Sequence, residues 1–253
     1  MSGKVFLIGA GPGDPELLTL RALRMLQQAD VVVYDRLVSD DILALHADAA
    51  QLIPVGKAPK CHTVPQGRIN EILLEQARAG HNVARLKGGD PMVFGRGSEE
   101  AAYLIARGVA VEYAPGITAA QGASSSTGVP LTHRGLATSV QFVTGHRQAD
   151  KVLDLDWKRL ADPDSTVVIY MGVANIGQIA MGLMTENLSG STPVLAVSNA
   201  TTPDECRLLS RLDRIATDAR TAALRAPTLF IIGSVVSLYA QQPVARVLEQ
   251  AHG

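Results

Sequence analysis

VFLIGAGPGDPELLTL, residues 5–20, decides the fold prediction, because it joins an apolar strand signal, a turn and a helix signal. The turn consists of glycine, proline and aspartate, and an amphipathic segment follows it. A similar order returns in RLKGGDPMVFGRGSEE, residues 85–100. Short apolar strands that alternate with helices predict an α/β fold with a mainly parallel sheet covered by helices.

The same periodicity extends along the chain and predicts two α/β domains. Residues 124–137, SSSTGVPLTHRGLA, interrupt it with small residues, glycine and proline, so we place a boundary there and expect domains over 1–130 and 131–253. In the second domain we expect some antiparallel pairing. The predicted strands are 4–8, 31–34, 81–86, 111–113, 139–144, 165–170, 194–198, 206–210 and 228–233, and the predicted helices are 15–28, 65–79, 98–107, 118–125, 176–185 and 212–224.

Composition excludes several classes of partner. The chain has 253 residues with a formal charge of −1, which gives no general attraction to nucleic acid or to an anionic membrane. Its two cysteines are too few for a disulfide framework, and no run reaches the ~20 apolar residues of a membrane span. We therefore expect a cytoplasmic protein that contacts neither nucleic acid nor membrane.

The first glycine turn invites a dinucleotide-binding interpretation, but its spacing argues against one. Gly9 and Gly11 are in place, yet Asp14 stands where the third glycine of a Rossmann motif belongs. Pro12 also removes a backbone N–H where a pyrophosphate needs donors. From the residues alone, an ordinary strand-to-helix turn remains the simpler interpretation.

The second turn offers more chemistry. Gly88, Gly89 and Asp90 follow an apolar strand, and open α/β sheets bind ligands at the carboxyl ends of their strands. Glycine permits close approach of a flat group, and the carboxylate can accept hydrogen bonds from a ligand. An equally simple alternative is that Asp90 only caps the turn or the following helix.

Taken together, these motifs resemble the uroporphyrinogen-III C-methyltransferases, within the tetrapyrrole methylase superfamily. The resemblance runs in order through GAGPGDP, VVVYDRLVS, VGK, RLKGGDPMVFGRGSEE, APGITAA, GVPLTHRG, VVIYMG and APTLFIIGSVV. It implies a homodimer of two-domain chains with the active-site cleft between the domains. It also implies S-adenosyl-L-methionine as methyl donor, S-adenosyl-L-homocysteine as product, and no metal. The implied reaction converts uroporphyrinogen III to precorrin-2 by methylation at carbons 2 and 7, for sirohaem, cobalamin or haem d1.

The same resemblance implies roles for individual residues. Asp35 becomes the candidate proton acceptor and Lys57 the candidate donor, although turn capping and solvent exposure are their simpler explanations. Arg96 competes for a part in proton transfer, but an arginine is hard to deprotonate and suits an anion clamp better. The remaining candidates fall into a substrate set and a cofactor set. The first contains Arg36, Glu99, Arg134 and Arg147, and the second contains Pro12, Gly88, Gly89, Asp90, Val93, Thr118, Ala119, Met171, Ala200 and Thr228.

Three alternatives remain open at this stage. Another tetrapyrrole methylase, such as a later precorrin methyltransferase, shares the GAGPGDP turn. A nicotinamide-dependent oxidoreductase is disfavoured by the missing third glycine. A binding protein without catalysis is disfavoured by the presence of Asp35, Lys57 and Asp90. Cys61 and His62 are adjacent but lack two further ligands, so we predict no metal site.

Overall fold

The computed structural model describes residues 3–56, 64–146 and 153–241. The chain divides into two compact units, Met1–Ala119 and Ala120–Gly253, and the described residues form one five-stranded sheet in each. The predicted boundary after residue 130 lies later in the chain than this division, by about the length of one helix. The prediction of an α/β fold is confirmed.

The first unit contains a parallel sheet with the strand order β3-β2-β4-β1-β5. Its strands are β1 (Lys4–Gly9), β2 (Val31–Tyr34), β3 (Gln51–Pro54), β4 (Val83–Lys87) and β5 (Ala110–Ala114). Its helices are α1 (Leu20–Gln27), α2 (Asp40–Leu43), α3 (Gln66–Arg78) and α4 (Gly97–Ile105). Because the strands are parallel, their carboxyl ends and the turns that follow them share one edge of the sheet.

Helices cover both faces of this sheet. Alternate residues of the central strands point to opposite faces, which gives two separate apolar clusters. Leu7 and Val33 pack with α3 and α4 on one face, while Phe6 and Val32 pack with α1 on the other. Burial on both faces explains why β1 and β2 are apolar at almost every position.

The predicted helix over 15–28 is wrong as a single element. Pro15–Leu17 form a 3₁₀ turn, and α1 begins only at Leu20. Between them Thr19 has an extended backbone, and its hydroxyl accepts a hydrogen bond from the backbone N–H of Ala22 at 3.1 Å. This N-cap satisfies a free N–H of the first turn and so fixes where the helix starts.

The second unit contains a mixed sheet with the order β6-β7-β10-β8-β9. The pair β6–β7 is parallel and the other pairs are antiparallel, which confirms the predicted antiparallel pairing. Its strands are β6 (Ser139–Thr144), β7 (Ser165–Tyr170), β8 (Pro193–Ser198), β9 (Cys206–Arg211) and β10 (Thr228–Ile232). Its helices are α5 (Ala119–Thr127), which begins at the division between the units, α6 (Trp157–Leu160), α7 (Ile176–Thr185) and α8 (Ile215–Thr221).

In the second unit α6, α7 and α8 build the main apolar cluster against one face of the sheet. The 3₁₀ segment Ser234–Gln241 contacts β8 and β10. The segment predicted as a linker is helical up to Thr127, where Gly128 with φ +70° ends α5. Within the described ranges, no helix has the length and apolar character that crossing a bilayer requires.

Candidate active site

Three glycine turns meet at the carboxyl edge of the first sheet. Gly9 follows β1, Gly89 follows β4 and Gly116 follows β5. A Cβ added to Gly116 would lie 2.2 Å from the carbonyl oxygen of Gly89, and one added to Gly9 would lie 2.4 Å from the backbone N of Gly116. These distances leave no room for a side chain, so glycine is required for the three backbones to pack together.

The first two turns are also joined by hydrogen bonds. The N–H of Gly89 donates to the carbonyl of Gly11 at 2.7 Å, and the N–H of Gly11 donates to the carbonyl of Gly89 at 3.1 Å. Both residues have positive φ, +72° and +68°, which glycine adopts without strain. The backbone conformation beside the predicted cofactor residues is therefore fixed by contacts between the turns.

Asp90 connects the second turn to the third. Its Oδ2 accepts a hydrogen bond from the N–H of Gly116 at 3.0 Å, and its Oδ1 accepts one from the N–H of Met92 at 2.7 Å. The structure thus shows the turn-capping arrangement that the sequence left open. Each oxygen keeps a second lone pair, so the carboxylate retains capacity to accept from a ligand.

The segment after β2 packs directly on the second turn. A Cβ added to Gly88 would lie 2.7 Å from Cβ of Leu37, and one added to Gly56 would lie 2.4 Å from the backbone N of Arg36. The Asp-Arg-Leu motif and these two glycines therefore form one closely packed group. Lys57, the predicted proton donor, lies outside the described residues.

Asp35 contacts two cations that sequence reasoning did not single out. Arg85 Nη2 donates to Asp35 Oδ1 at 2.8 Å, and Lys87 Nζ lies 3.6 Å from Asp35 Oδ2. Arg85 is 1% exposed and Lys87 4%, whereas the Asp35 side chain is 29% exposed. Asp35 thus joins buried charges to the surface.

Glu100 completes this group from helix α4. Its Oε1 accepts from Lys87 Nζ at 3.0 Å, from Arg85 Nε at 3.3 Å and from Gln66 Nε2 at 3.0 Å. Glu100 is fully buried, and its Oε2 has no hydrogen-bond partner among the described residues. The four charged residues, two acidic and two basic, are called the Asp35 cluster below: Asp35, Arg85, Lys87 and Glu100.

Arg96 occupies a different environment. It forms a bidentate pair with Glu99, at 3.1 Å from Nε and 2.7 Å from Nη2, and both side chains are more than half exposed. The hydrogen bonds from Arg96 lower the pKa of the Glu99 carboxyl, and Glu99 raises the pKa of Arg96. This places the predicted anion clamp on the surface with one carboxylate already bound.

Backbone strain occurs beside several predicted site residues. Non-glycine residues with positive φ include Phe94, Arg96, Met171, Asn199 and Thr201. Such conformations cost about 1–3 kcal/mol each and persist where the surrounding structure fixes them, often at functional sites. Four predicted site residues either have a positive φ themselves or lie next to a residue that does: Val93, Arg96, Met171 and Ala200.

The predicted cofactor residues of the second unit share one edge of its sheet. Met171 directly follows β7 and Ala200 follows β8, while Thr228 begins the antiparallel strand β10 opposite Ser198. Met171 is 48% exposed, so it does not fill a gap in the core. Thr228 is buried, and its hydroxyl bonds to Ser198 Oγ at 2.7 Å and to the carbonyl of Arg225 at 2.5 Å.

The segment that carries Ala200 is braced by an ion pair. The carboxylate of Glu205 accepts a hydrogen bond from the N–H of Thr201 at 2.6 Å, and its other oxygen accepts one from Arg207 Nε at 2.6 Å. Arg207 Nη2 also donates to the carbonyl of Ser126 at 2.7 Å, at the end of α5. These contacts fix the segment through its backbone.

Within the second unit, Arg134 lies at a different end of the sheet from Met171. Arg134 is exposed and lies before β6, where the N–H of Thr138 donates to the carbonyl of Asp164 at 2.8 Å. Arg134 therefore precedes the end of the second sheet where β6 and β7 start, whereas Met171 follows the other end of β7. Arg147, Cys61 and His62 lie outside the described residues.

Comparison with known proteins gives the class of the chain. Residues 4–216 match the family model of the Tetrapyrrole (Corrin/Porphyrin) Methylases, which covers most of the sequence, the whole first sheet and strands β6 to β9 of the second. The chain therefore belongs to the tetrapyrrole methylases.

Within that family, several curated relatives are similar over nearly the whole chain. The uroporphyrinogen-III C-methyltransferase of Paracoccus denitrificans is 57% identical over 93% of this chain and 82% of its own length. A chloroplastic S-adenosyl-L-methionine-dependent uroporphyrinogen III methyltransferase of Arabidopsis thaliana is 50% identical over 93% of this chain and 64% of its own. The siroheme synthase of Pseudoalteromonas atlantica is also 50% identical, but this chain spans only 51% of its length.

Solved structures of the family share the fold. The uroporphyrin-III C-methyltransferase of Thermus thermophilus complexed with S-adenyl homocysteine matches with a TM-score of 0.81 and 44% identity, over 93% of this chain and all of that one. A cobalt precorrin-4 methyltransferase matches with the same TM-score but 29% identity, over 92% of this chain and 95% of that one. The fold is thus common to enzymes named for different tetrapyrroles.

Proposed function

We propose that this protein is an S-adenosyl-L-methionine-dependent C-methyltransferase that converts uroporphyrinogen III to precorrin-2 by methylation at carbons 2 and 7. The observation that carries the proposal is the 57% identity to the Paracoccus denitrificans enzyme. Because this identity extends over 93% of the chain, it takes in both sheets and the turns that hold the candidate residues.

The carboxyl edge of the first sheet fits an S-adenosyl donor. A Cβ added to Gly89 would meet nothing closer than 3.8 Å, at the backbone N of Ala119, and Thr118 lies next to it. This open space suits a flat group, and Asp90 has acceptor capacity for ribose hydroxyls or an ammonium group. We assign donor binding to this edge, to Pro12 and Val93, and to Met171, Ala200 and Thr228 of the second unit.

The donor supplies a methyl group on a positively charged sulfur, which is reactive without a metal. The protein then mainly has to align this methyl with a pyrrole carbon, and holding two reactants in place can contribute about 7–11 kcal/mol. Asp35 accepts the proton that the methylated ring gives up, and Lys57 returns a proton. Acid–base assistance of this kind contributes about 10²–10⁴-fold.

Uroporphyrinogen carries many carboxylates, so a protein with a formal charge of −1 needs local cations to bind it. Arg36, Arg96 and Arg134 are exposed and fit this role, with Arg147 as a further candidate. Glu99 holds Arg96 in a fixed orientation until Arg96 exchanges it for a substrate carboxylate, and Glu99 can accept a hydrogen bond from a pyrrole N–H. Bidentate pairing by arginine gives both attraction and orientation.

A methyl-transfer assay with purified protein, uroporphyrinogen III and S-adenosyl-L-methionine tests the proposal. We expect two methyl groups per macrocycle, seen by mass spectrometry and by the absorbance of the oxidised dimethylated product. Asp35→Asn serves as the inactive control. Turnover of a later precorrin in place of uroporphyrinogen III would contradict the proposed substrate while leaving the class of reaction intact.

We further propose a cytoplasmic homodimer. The support is the resemblance to uroporphyrinogen-III C-methyltransferases together with the cysteine content and near-neutral charge. Light scattering after size-exclusion chromatography measures the mass directly. A single-chain mass at the concentrations used for the activity assay would contradict the dimer.

A further inference from the structure

The Asp35 cluster is an unusual feature for the inside of a parallel sheet. Arg85 and Lys87 lie in β4, between β2 and β1, where apolar residues are the rule. Both point to the face covered by α3 and α4, and they meet Glu100 of α4 there. Burying charges costs several kcal/mol per ion even after relaxation. Hydrophobic residues of similar volume in place of a buried ion pair often give a fold that is equally stable or more stable.

The geometry of the cluster distinguishes the two oxygens of Asp35. Arg85 Nη2 donates to Oδ1 at 2.8 Å, a distance typical of a charge-assisted hydrogen bond. The Oδ2 atom lies 3.6 Å from Lys87 Nζ, beyond ordinary hydrogen-bond distance. Arg85 is itself held at its Nε by Glu100, so its guanidinium cannot follow Asp35 if the carboxylate rotates.

We propose that Arg85 is a positioning residue that fixes the Asp35 carboxylate through Oδ1 and leaves Oδ2 as the proton-accepting atom. Glu100 pairs with both Arg85 and Lys87, and its bond to Arg85 Nε restrains the guanidinium. This proposal rests on the proposed function, because it assigns a purpose to Asp35 in that reaction.

Methyl transfer moves one methyl group from sulfur to a ring carbon. The ring carbon forms a bond to the methyl carbon as the bond between that carbon and sulfur breaks, with its electron pair left on sulfur. The methylated macrocycle then carries one additional positive charge, which is removed when a proton moves to Oδ2 of Asp35. Arg85 exchanges no proton and acts only through the position of the carboxylate.

A double variant tests this role without leaving a buried charge uncompensated. Arg85→Met combined with Glu100→Gln removes one positive and one negative charge, so Lys87 and Asp35 remain as a balanced pair. We expect a cooperative melt, S-adenosyl-L-homocysteine affinity within about twofold of wild type, and kcat lower by about 10²-fold. A purely structural role of Arg85 would instead disturb β4, and with it the Gly88-Gly89-Asp90 turn, and weaken ligand binding in parallel.

Adding a substitution at Asp35 to the double variant shows whether Arg85 acts through Asp35. When Asp35→Asn is added to the double variant, we expect a further loss in kcat of no more than about twofold, because both changes remove one function. Losses that multiply in full would overturn the proposal, and so would an unchanged kcat in the double variant. If the double variant does not fold, Arg85→Lys takes its place in the same comparison with and without Asp35→Asn. This variant keeps the positive charge, but its side chain is too short to contact Asp35 as the arginine does.

Crystal structures separate this proposal from the proposed function. In Arg85→Lys we expect the Asp35 carboxylate to rotate away from its wild-type position, and an unchanged carboxylate would overturn the positioning role. This readout needs no turnover. Absence of methyl transfer to uroporphyrinogen III by the wild type would contradict the proposed function and with it the proton-accepting role of Oδ2, whereas the crystal structures would still test whether Arg85 positions the carboxylate.

Discussion

The candidate residues of the first unit lie in two kinds of environment. Asp35 and Asp90 are held by buried partners or by backbone N–H groups, whereas Arg96 and Glu99 form a pair on the surface. The contacts of Asp35 and Asp90 are also part of the fold, so we expect changes at these residues to affect both stability and ligand binding. The surface residues are free of that constraint, and their loss is expected to affect substrate contacts more than folding.

Adjacent glutamates of helix α4 test this difference most directly. Glu100→Gln removes the carboxylate that faces Arg85 and Lys87 in a fully buried position, so we expect a loss of about 3–5 kcal/mol in the free energy of unfolding. Urea titration followed by circular dichroism measures it. Glu99→Gln makes the same chemical change one residue away on the surface and is the matched control. Equal losses of unfolding free energy in the two variants would show that the buried cluster contributes no more to stability than the surface pair.

This cluster is also where sequence reasoning failed. The strand predicted over 81–86 corresponds to β4, Val83–Lys87, but its pattern alone does not show which side chain faces which helix. A signal was present: Arg85 and Lys87 lie two residues apart in an otherwise apolar strand, and so on one face. Glu100 falls on the stripe of α4 that includes the buried residues Gly97, Ala101 and Leu104. Buried charges require partners, so the two patterns together indicate an ion cluster.

Several longer elements were predicted at their observed bounds, as was the four-residue β2, whose consecutive apolar residues mark it, whereas other four-residue elements were missed. The predicted ranges 139–144, 165–170 and 176–185 coincide with β6, β7 and α7. The missed elements α2, β3 and α6 contain four residues each, too few to show a period. The convergence of the glycine turns could be predicted because parallel strands end at one edge, whereas the contacts between turns depend on distances that no spacing reveals.

The packing of the glycine turns gives the second test of the held residues. In Gly116→Ala the new Cβ would lie 2.2 Å from the carbonyl oxygen of Gly89, so the two backbones must separate. We expect calorimetric titration with S-adenosyl-L-homocysteine to show affinity lower by about 100-fold, which is about 2.7 kcal/mol. Gly67→Ala is the control, since nothing lies within 4 Å of its added Cβ. Wild-type affinity in Gly116→Ala would mean that the donor does not bind at this edge.

Variants of Asp90 test whether its carboxylate caps a turn that binding requires or contacts the donor. Asp90→Ala removes the acceptors for the N–H groups of Met92 and Gly116, and we expect a loss of about 10- to 100-fold in affinity for the same ligand. Asp90→Asn keeps one carbonyl oxygen and should bind with intermediate affinity. If both variants bind like wild type, the carboxylate neither caps a necessary turn nor contacts the donor.

Arg134 lies on the other side of the comparison, as an exposed cation with no assigned part in the fold. We expect Arg134→Ala to raise KM for uroporphyrinogen III by about 10-fold, as expected for loss of one charged hydrogen bond. Donor affinity and the melting temperature should not change. Arg134→Lys, which keeps the charge, should recover part of the loss. An unchanged KM would remove Arg134 from the substrate site.

The Arg96–Glu99 pair should give the smallest effect, and its pH dependence tests the surface interpretation. Arg96 lowers the pKa of Glu99 in the folded protein, so the pair contributes its full stabilisation above the ordinary glutamate pKa of about 4.3. The stabilisation is lost as pH falls through the lowered value, where Glu99 takes up a proton. Since both side chains are more than half exposed, Glu99→Gln should cost less than about 1 kcal/mol at pH 7 and less still at about pH 2. Urea titrations of the wild type and of Glu99→Gln at the two pH values measure the difference in unfolding free energy. If this difference is the same at both pH values, the charge of Glu99 does not contribute to stability.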